Sequence, residues 1–148
     1  MITSTAQAGW QELRAQAHSN CAVCSPSNRR SLCLRFTASG DGTVQAYFDC
    51  DESFEGYTGM LHGGVIASLL DGAMTNCMFA HGVAAMTGEL TVRFRHPVIV
   101  NRLATLRAWI ERSSPPRHLL SAEIVQDGQV KATASGKFME RPQSSGGG

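Results

Sequence analysis

His62-Gly63-Gly64-Val65-Ile66-Ala67-Ser68-Leu69-Leu70-Asp71 is the stretch on which the reading of this chain turns. It reads as the start of a helix whose first backbone amides are bared by two glycines, followed about two and a half turns later by a carboxylate in a run otherwise apolar or small. The first amides of a helix have no acceptor within it, and a Ser, Thr, Asp or Asn cap normally satisfies one of them. His62 stands at the cap position with Gly63 and Gly64 behind it, so the pattern leaves these amides to an external oxygen, backed by the positive end of the helix. His62 itself is read as a structural hydrogen-bonder. A bare helix start polarises a carbonyl and a carboxylate activates water, so the segment points to hydrolysis.

On a helical wheel Val65, Ile66, Leu69, Leu70, Ala73, Met74 and Cys77 form one broad apolar stripe suited to a sheet. The other side carries Gly64, Ala67, Ser68, Asp71, Gly72 and Thr75. These small residues admit a second backbone, and the simplest one is another copy of the chain in a two-fold dimer. Asp71-Gly72 is a poor helix pair, and a local rule broken inside a consistent element points to function. Gly63 and Asp71 are eight residues apart, about 12 Å along a helix axis, too far for both to touch one reacting carbon. If both serve one site, they come from different chains.

The rest of the chain supplies a sheet. Ala6 to Ala17 reads as a short helix with Trp10 and Leu13 on one side. Leu32, Leu34 and Phe36 alternate with polar neighbours, as do Val44, Ala46 and Phe48 after the turn at Ser39-Gly40-Asp41-Gly42, which predicts a hairpin. The long helix should end at His81-Gly82, with glycine in a left-handed cap. Four alternating segments follow, centred on Leu90 to Phe94, Ala104 to Ile110, Leu120 to Ile124 and Val130 to Phe138, with turns at Pro115-Pro116 and Asp127-Gly128. The expected class is α+β, an antiparallel sheet curved around one long helix.

With 148 residues and a formal net charge of +1, the chain makes one domain and has no global field for nucleic acid or an anionic membrane. The domain is expected over residues 1–142, its N-terminal helix and cysteine turn lying at 6–30, with a flexible Ser-Gly tail at 143–148. Val65 to Ala80 is too short and too interrupted to span a bilayer. Met1 to Trp10 lacks the pattern of a secretory signal, and the five cysteines form an odd set, so a reducing cytoplasm is expected.

His62-Gly63-Gly64 with Leu69-Leu70-Asp71, then Thr87-Gly88-Glu89-Leu90-Thr91-Val92-Arg93-Phe94 and His96-Pro97, resembles the hotdog-fold acyl-CoA thioesterases, in particular the phenylacetate-pathway type, from Leu32 to Met139. The resemblance implies dimers, or tetramers built as dimers of dimers, that hydrolyse acyl-CoA at sites between subunits. It implies Asp71 as nucleophile or general base, the amide of Gly63 or Gly64 polarising the thioester carbonyl, and Thr87 holding substrate or water. Many relatives carry an asparagine six residues before the motif histidine, where this chain has Gly56. Gly56, Ser68, Arg93 and Arg95 are the expected substrate contacts, with Arg102 and Arg117 as further cations for the CoA phosphates. No cofactor is expected. A non-catalytic acyl-CoA binding protein on the same scaffold is the alternative, and a hydratase is disfavoured because no histidine follows Asp71 until His81.

His18, Cys21 and Cys24, followed by Cys33, offer four possible zinc ligands of the right types. A second Cys-x-x-Cys is missing, and the favoured reading is a tight turn with reduced thiols and no metal.

Overall fold

The apolar run after His62 becomes the helix that the sheet wraps. The computed structural model describes residues 4–142, with side chains from residue 9 onward, so the tail expected at 143–148 lies outside the described residues. In chain order the elements are α1 (Ser4–Ala17), β1 (Thr37–Ala38), β2 (Val44–Asp49), α2 (Gly63–Ala80), β3 (Ala85–Phe94), β4 (Leu103–Ser114), β5 (Arg117–Gln126) and β6 (Gln129–Glu140), with a 3-10 turn at Glu52–Phe54 before α2. The strands form one antiparallel sheet in the order β1-β2-β4-β5-β6-β3. This is the α+β hotdog arrangement. No described helix is long and apolar enough to cross a membrane.

Period-two alternation puts Leu120, Ala122 and Ile124 of β5 and Ala132, Ala134 and Phe138 of β6 in the core, against Ile66, Leu69, Leu70, Ala73, Met74 and Cys77 of α2. Val65, at the margin of that stripe, stays half-buried. Gly136 sets how closely helix and sheet approach. A Cβ there would lie 2.6 Å from the Phe138 ring and 3.0 Å from Met74 Sδ. Beyond α2, His81 takes the cap position and Gly82 turns left-handed at φ +79°, as the sequence pattern requires.

Two expectations are corrected. Leu34 and Phe36 are buried as their alternation predicts, yet Leu32 to Phe36 is not a strand. Its amides bond instead to the cysteine turn, Leu32 N–H to the Ala22 carbonyl at 2.8 Å and Leu34 N–H to that of Val23 at 2.9 Å, and only Thr37–Ala38 pairs with β2. The periodicity reported burial correctly but not the partner.

The small-residue face of α2 is divided between two neighbours. Gly64 and Ser68 are exposed, whereas Gly72 and Thr75 are buried, and Val23 of the same chain sits over Gly72. A Cβ on Gly72 would come 2.5 Å from Val23 Cγ1. The C-terminal half of the face is therefore covered by the chain's own N-terminal segment, and only its N-terminal half is open to a second copy. Gly72→Ala should cost about 1–3 kcal/mol through overpacking, seen as a lower Tm. Val23→Ala in the same chain should recover part of the loss, and an unchanged Tm for Gly72→Ala would show that this contact is slack.

One irregularity aims a side chain. The β3–β6 register shifts between Thr87, opposite Phe138, and Glu89, opposite Lys137, so Gly88 is an extra residue. Leu90, Val92 and Phe94 stand opposite Gly136, Ala134 and Ala132 on the helix side. Without the bulge Thr87 would fall on the other face. The bulge returns it to the helix side, opposite Phe138.

Candidate active site

Asp71 is half-buried on α2, and its Oδ1 accepts a hydrogen bond from Thr87 Oγ1 at 2.6 Å. The bulge in β3 makes that bond possible. Oδ2 has no hydrogen-bond partner among the described residues. The pair borders a cleft of about 400 Å³ shared with His18, Thr75, Met86 and Arg141. Burial, reinforced by the charge of Arg14, lowers the His18 pKa from its ordinary value, with Asp71 pulling the other way.

At the other end of the helix segment the geometry is more economical than the sequence suggests. His62 Nδ1 accepts the Gly64 N–H at 2.8 Å, so this histidine is itself the cap and the Gly64 amide is occupied. The expectation of two bare amides is corrected to one at this glycine pair. Imidazole nitrogen is an acceptor of the same reach as a Ser or Asn oxygen, which a rule naming only the usual capping types overlooks. Gly63 N–H has no acceptor among the described residues. Gly63 lines a second cleft, of about 630 Å³, with Gly56, Tyr57, Met60, Phe94 and Arg95 among others. Gly56 leaves room for the His62 ring, whose Cδ2 would lie 3.2 Å from a Cβ placed there.

Gly63 and Asp71 thus border different clefts of one chain, as the helix-length argument requires. The remaining candidates divide. Arg95 lines the Gly63 cleft. Arg93 stands opposite Thr133 on the outer face of the sheet, and neither cleft includes it. Ser68 is exposed and spends its hydroxyl proton on the Gly64 carbonyl at 2.9 Å, outside both clefts. Arg102 is held by Asp127 at 2.9 Å, while Arg117 borders a third depression with Arg112 and Lys137.

Sequence reasoning missed the apolar margins of the site. Phe94, Met86 and Tyr57 are 56%, 61% and 85% exposed. Their types suit a core, and nothing local in the sequence shows that β3 has no neighbour on its outer side. Nor does any spacing show that His18 and Arg141, far apart in sequence, line the cleft that Asp71 borders.

The cysteines also separate. Cys77 and Cys50 are fully buried, and burial raises their thiols to about 12 and about 11 respectively, with Asp49 adding to the effect at Cys50. Burial and the neighbouring Cys21 raise Cys24 to about 11. Cys33 is exposed, and its Sγ donates to the Ser25 carbonyl at 3.6 Å.

The family pattern of the thioesterase superfamily matches residues 58–133, more than half of the chain. The acyl-coenzyme A thioesterase THEM4 of Bos taurus is 27% identical over 88 residues, 58% of this chain and 36% of that one. The acyl-coenzyme A thioesterase THEM5 of Mus musculus is 25% identical over 131 residues, 87% of this chain and 48% of that one. This chain therefore spans at most about half the length of these two relatives. The PaaI protein of the E. coli phenylacetic acid degradation operon shares the fold with a TM-score of 0.79 at 18% identity, covering 96% of this chain and 97% of that one. Because that match covers more than half of the chain, the chain belongs to the thioesterase superfamily.

Proposed function

We propose that the protein hydrolyses an acyl-CoA thioester to a carboxylic acid and CoA, at a site assembled from two copies of the chain. The observation that carries this reading is the placement of an unbonded Gly63 amide and the Asp71–Thr87 pair at opposite ends of one strand. Among the described residues β3 pairs only with β6, and its other edge has no strand beside it. Such an edge is a template for another strand. β3 also runs antiparallel to α2, with Phe94 beside Gly63 and Thr87 beside Asp71.

Two copies joined through this edge about a two-fold at Thr91, with Gly88 again the extra residue of the bulge, place Thr87 opposite the partner's Phe94. Each Asp71 then faces the partner's Gly63. The exposed Met86 and Phe94 are covered in the same step, which explains why apolar side chains stand in the open on an isolated chain.

In that site the thioester carbonyl oxygen accepts the Gly63 N–H, where the helix dipole stabilises the charge that develops on it. Thr87 holds one carboxylate oxygen of Asp71 and leaves the other to act. Two routes satisfy this geometry. Asp71 takes a proton from water as the water attacks the carbonyl carbon, or it attacks that carbon itself and water then cleaves the resulting anhydride. In both, the C–S bond breaks and the departing sulfur gains a proton, giving acid and thiol. His62 is a positioning residue that fixes the helix start, and Arg95 is the cation in the cleft suited to a CoA phosphate.

A screen across aromatic, short, medium and long acyl-CoAs tests the reading, with free CoA separated chromatographically so that the exposed Cys33 thiol is not counted with it. Release of CoA from at least one class, dependent on Asp71, is the expected result. Saturable acyl-CoA binding without release from any class would establish the non-catalytic binding protein instead.

A further inference from the structure

Cys21 and Cys24 lie outside both clefts, and His18, which borders the Asp71 cleft, has no part in the hydrolysis, yet the ligating atoms of the three all fall within 4.8 Å of one another. We propose that His18 Nδ1, Cys21 Sγ and Cys24 Sγ form a site for a zinc-class divalent cation that ties the N-terminal segment to α2.

The distances suit a shared ion. His18 Nδ1 and Cys24 Sγ are 3.8 Å apart, and tetrahedral zinc with its usual nitrogen and sulfur bond lengths separates such a pair by about 3.6 Å. The backbone is already shaped for it. Cys21 N–H bonds to the His18 carbonyl at 3.3 Å and Ser25 N–H to that of Cys21 at 3.2 Å, closing the turn. Val23 N–H points at Cys21 Sγ, 3.3 Å away. A backbone amide donating to sulfur stabilises a thiolate and orients a ligand, the role that groups around a metal's direct ligands usually play. The His18 ring stands edge-on to Phe79, centroids 5.0 Å apart at 81°, which fixes the direction of its nitrogen.

An independent feature points to something the described residues do not supply. Asn76 shares a small cavity with Cys24, is 1% exposed, and its Oδ1 has no partner among the described residues. Buried oxygens are rarely left so. Three protein ligands leave a fourth tetrahedral position for water, and a metal-bound water is a donor of the missing kind.

A Cys21–Cys24 disulfide is the rival use of these sulfurs, but it gives His18 no role. The four-ligand set that the sequence suggests is reduced to three, because the Cys33 sulfur turns to Ser25 and stands outside the group. The anchor has a mechanical consequence. Val23, between the two cysteines, packs on Gly72, the residue after Asp71, so the ion would brace the helix segment that carries the carboxylate.

The test uses the whole chain without a histidine tag, purified under reducing conditions and free of chelator. Titration with Co²⁺ should give an intense thiolate-to-cobalt band that saturates at about one ion per chain and is displaced by Zn²⁺, with Zn²⁺ raising Tm. Cys21→Ser and Cys24→Ser should abolish the band, His18→Gln should weaken binding at least about tenfold, and Cys33→Ser should leave it intact. Reduced, folded wild-type protein that gives no band would overturn the proposal. So would a band that survives both Cys21→Ser and Cys24→Ser, or a Cys21–Cys24 disulfide found in freshly isolated protein in place of the ion.

Discussion

Replacing Asp71 with alanine should leave a folded oligomer and lower kcat by about 10²-fold or more, on the order of 3 kcal/mol of transition-state stabilisation. The structure separates the two outcomes. The side-chain bond that Asp71 accepts comes from Thr87, an exposed residue that water satisfies when the carboxylate is gone. No buried group is orphaned, so the fold should stand. Asp71→Asn sharpens the test, because its carboxamide oxygen still accepts from Thr87 but the group is neither base nor nucleophile. It should lose nearly as much activity as the alanine variant. Circular dichroism and sedimentation establish that each variant is intact, and near-normal turnover in either removes the carboxylate from the mechanism.

Gly63→Pro should be the second large effect, again about 10²-fold in kcat, the size expected when one preorganised donor to a developing oxyanion is removed. Proline is tolerated at the first position of a helix, where its missing N–H takes nothing from the helix itself. His62 already has the extended backbone that a residue before proline requires, at φ −61° and ψ 134°. A Cβ on Gly63 would sit an ordinary 3.6 Å from the Phe94 ring. Gly63→Ala adds the same carbon but keeps the N–H, and it should retain most of the activity. Equal losses in both variants would assign the effect to bulk beside Phe94 rather than to the amide.

The helix and the four strands after it are legible because each rests on a periodicity that burial imposes. Ile66 to Cys77 repeats at helical spacing since one stripe meets the sheet, and Leu120 to Ile124 alternates since one face meets the helix. What stayed hidden depends on partners distant in sequence. Leu32 to Phe36 has a strand's alternation but bonds to the cysteine turn. The small face of α2 announces close packing without saying that Val23 supplies half of it. At the site, Asp71 and Gly63 stood out by breaking local rules, whereas the bond from Thr87 depends on a bulge at Gly88 that no spacing in the sequence displays. A structural role for His62 follows from its type, but its occupation of the Gly64 amide depends on the turn that brings its ring over the helix start.

The shared site is tested most directly by mixing the two inactive chains. In an Asp71→Ala homodimer each site keeps its amide and lacks its carboxylate, and in a Gly63→Pro homodimer the reverse holds. A mixed dimer brings the intact Gly63 of one chain to the intact Asp71 of the other, so one of its two sites is whole. After random exchange of equal amounts half of the dimers are mixed, and activity should return to about a quarter of wild type if sites act independently. If mass spectrometry shows mixed dimers of folded chains and activity stays at the level of the parents, the amide and the carboxylate do not meet across the two-fold, and the account of the site is wrong.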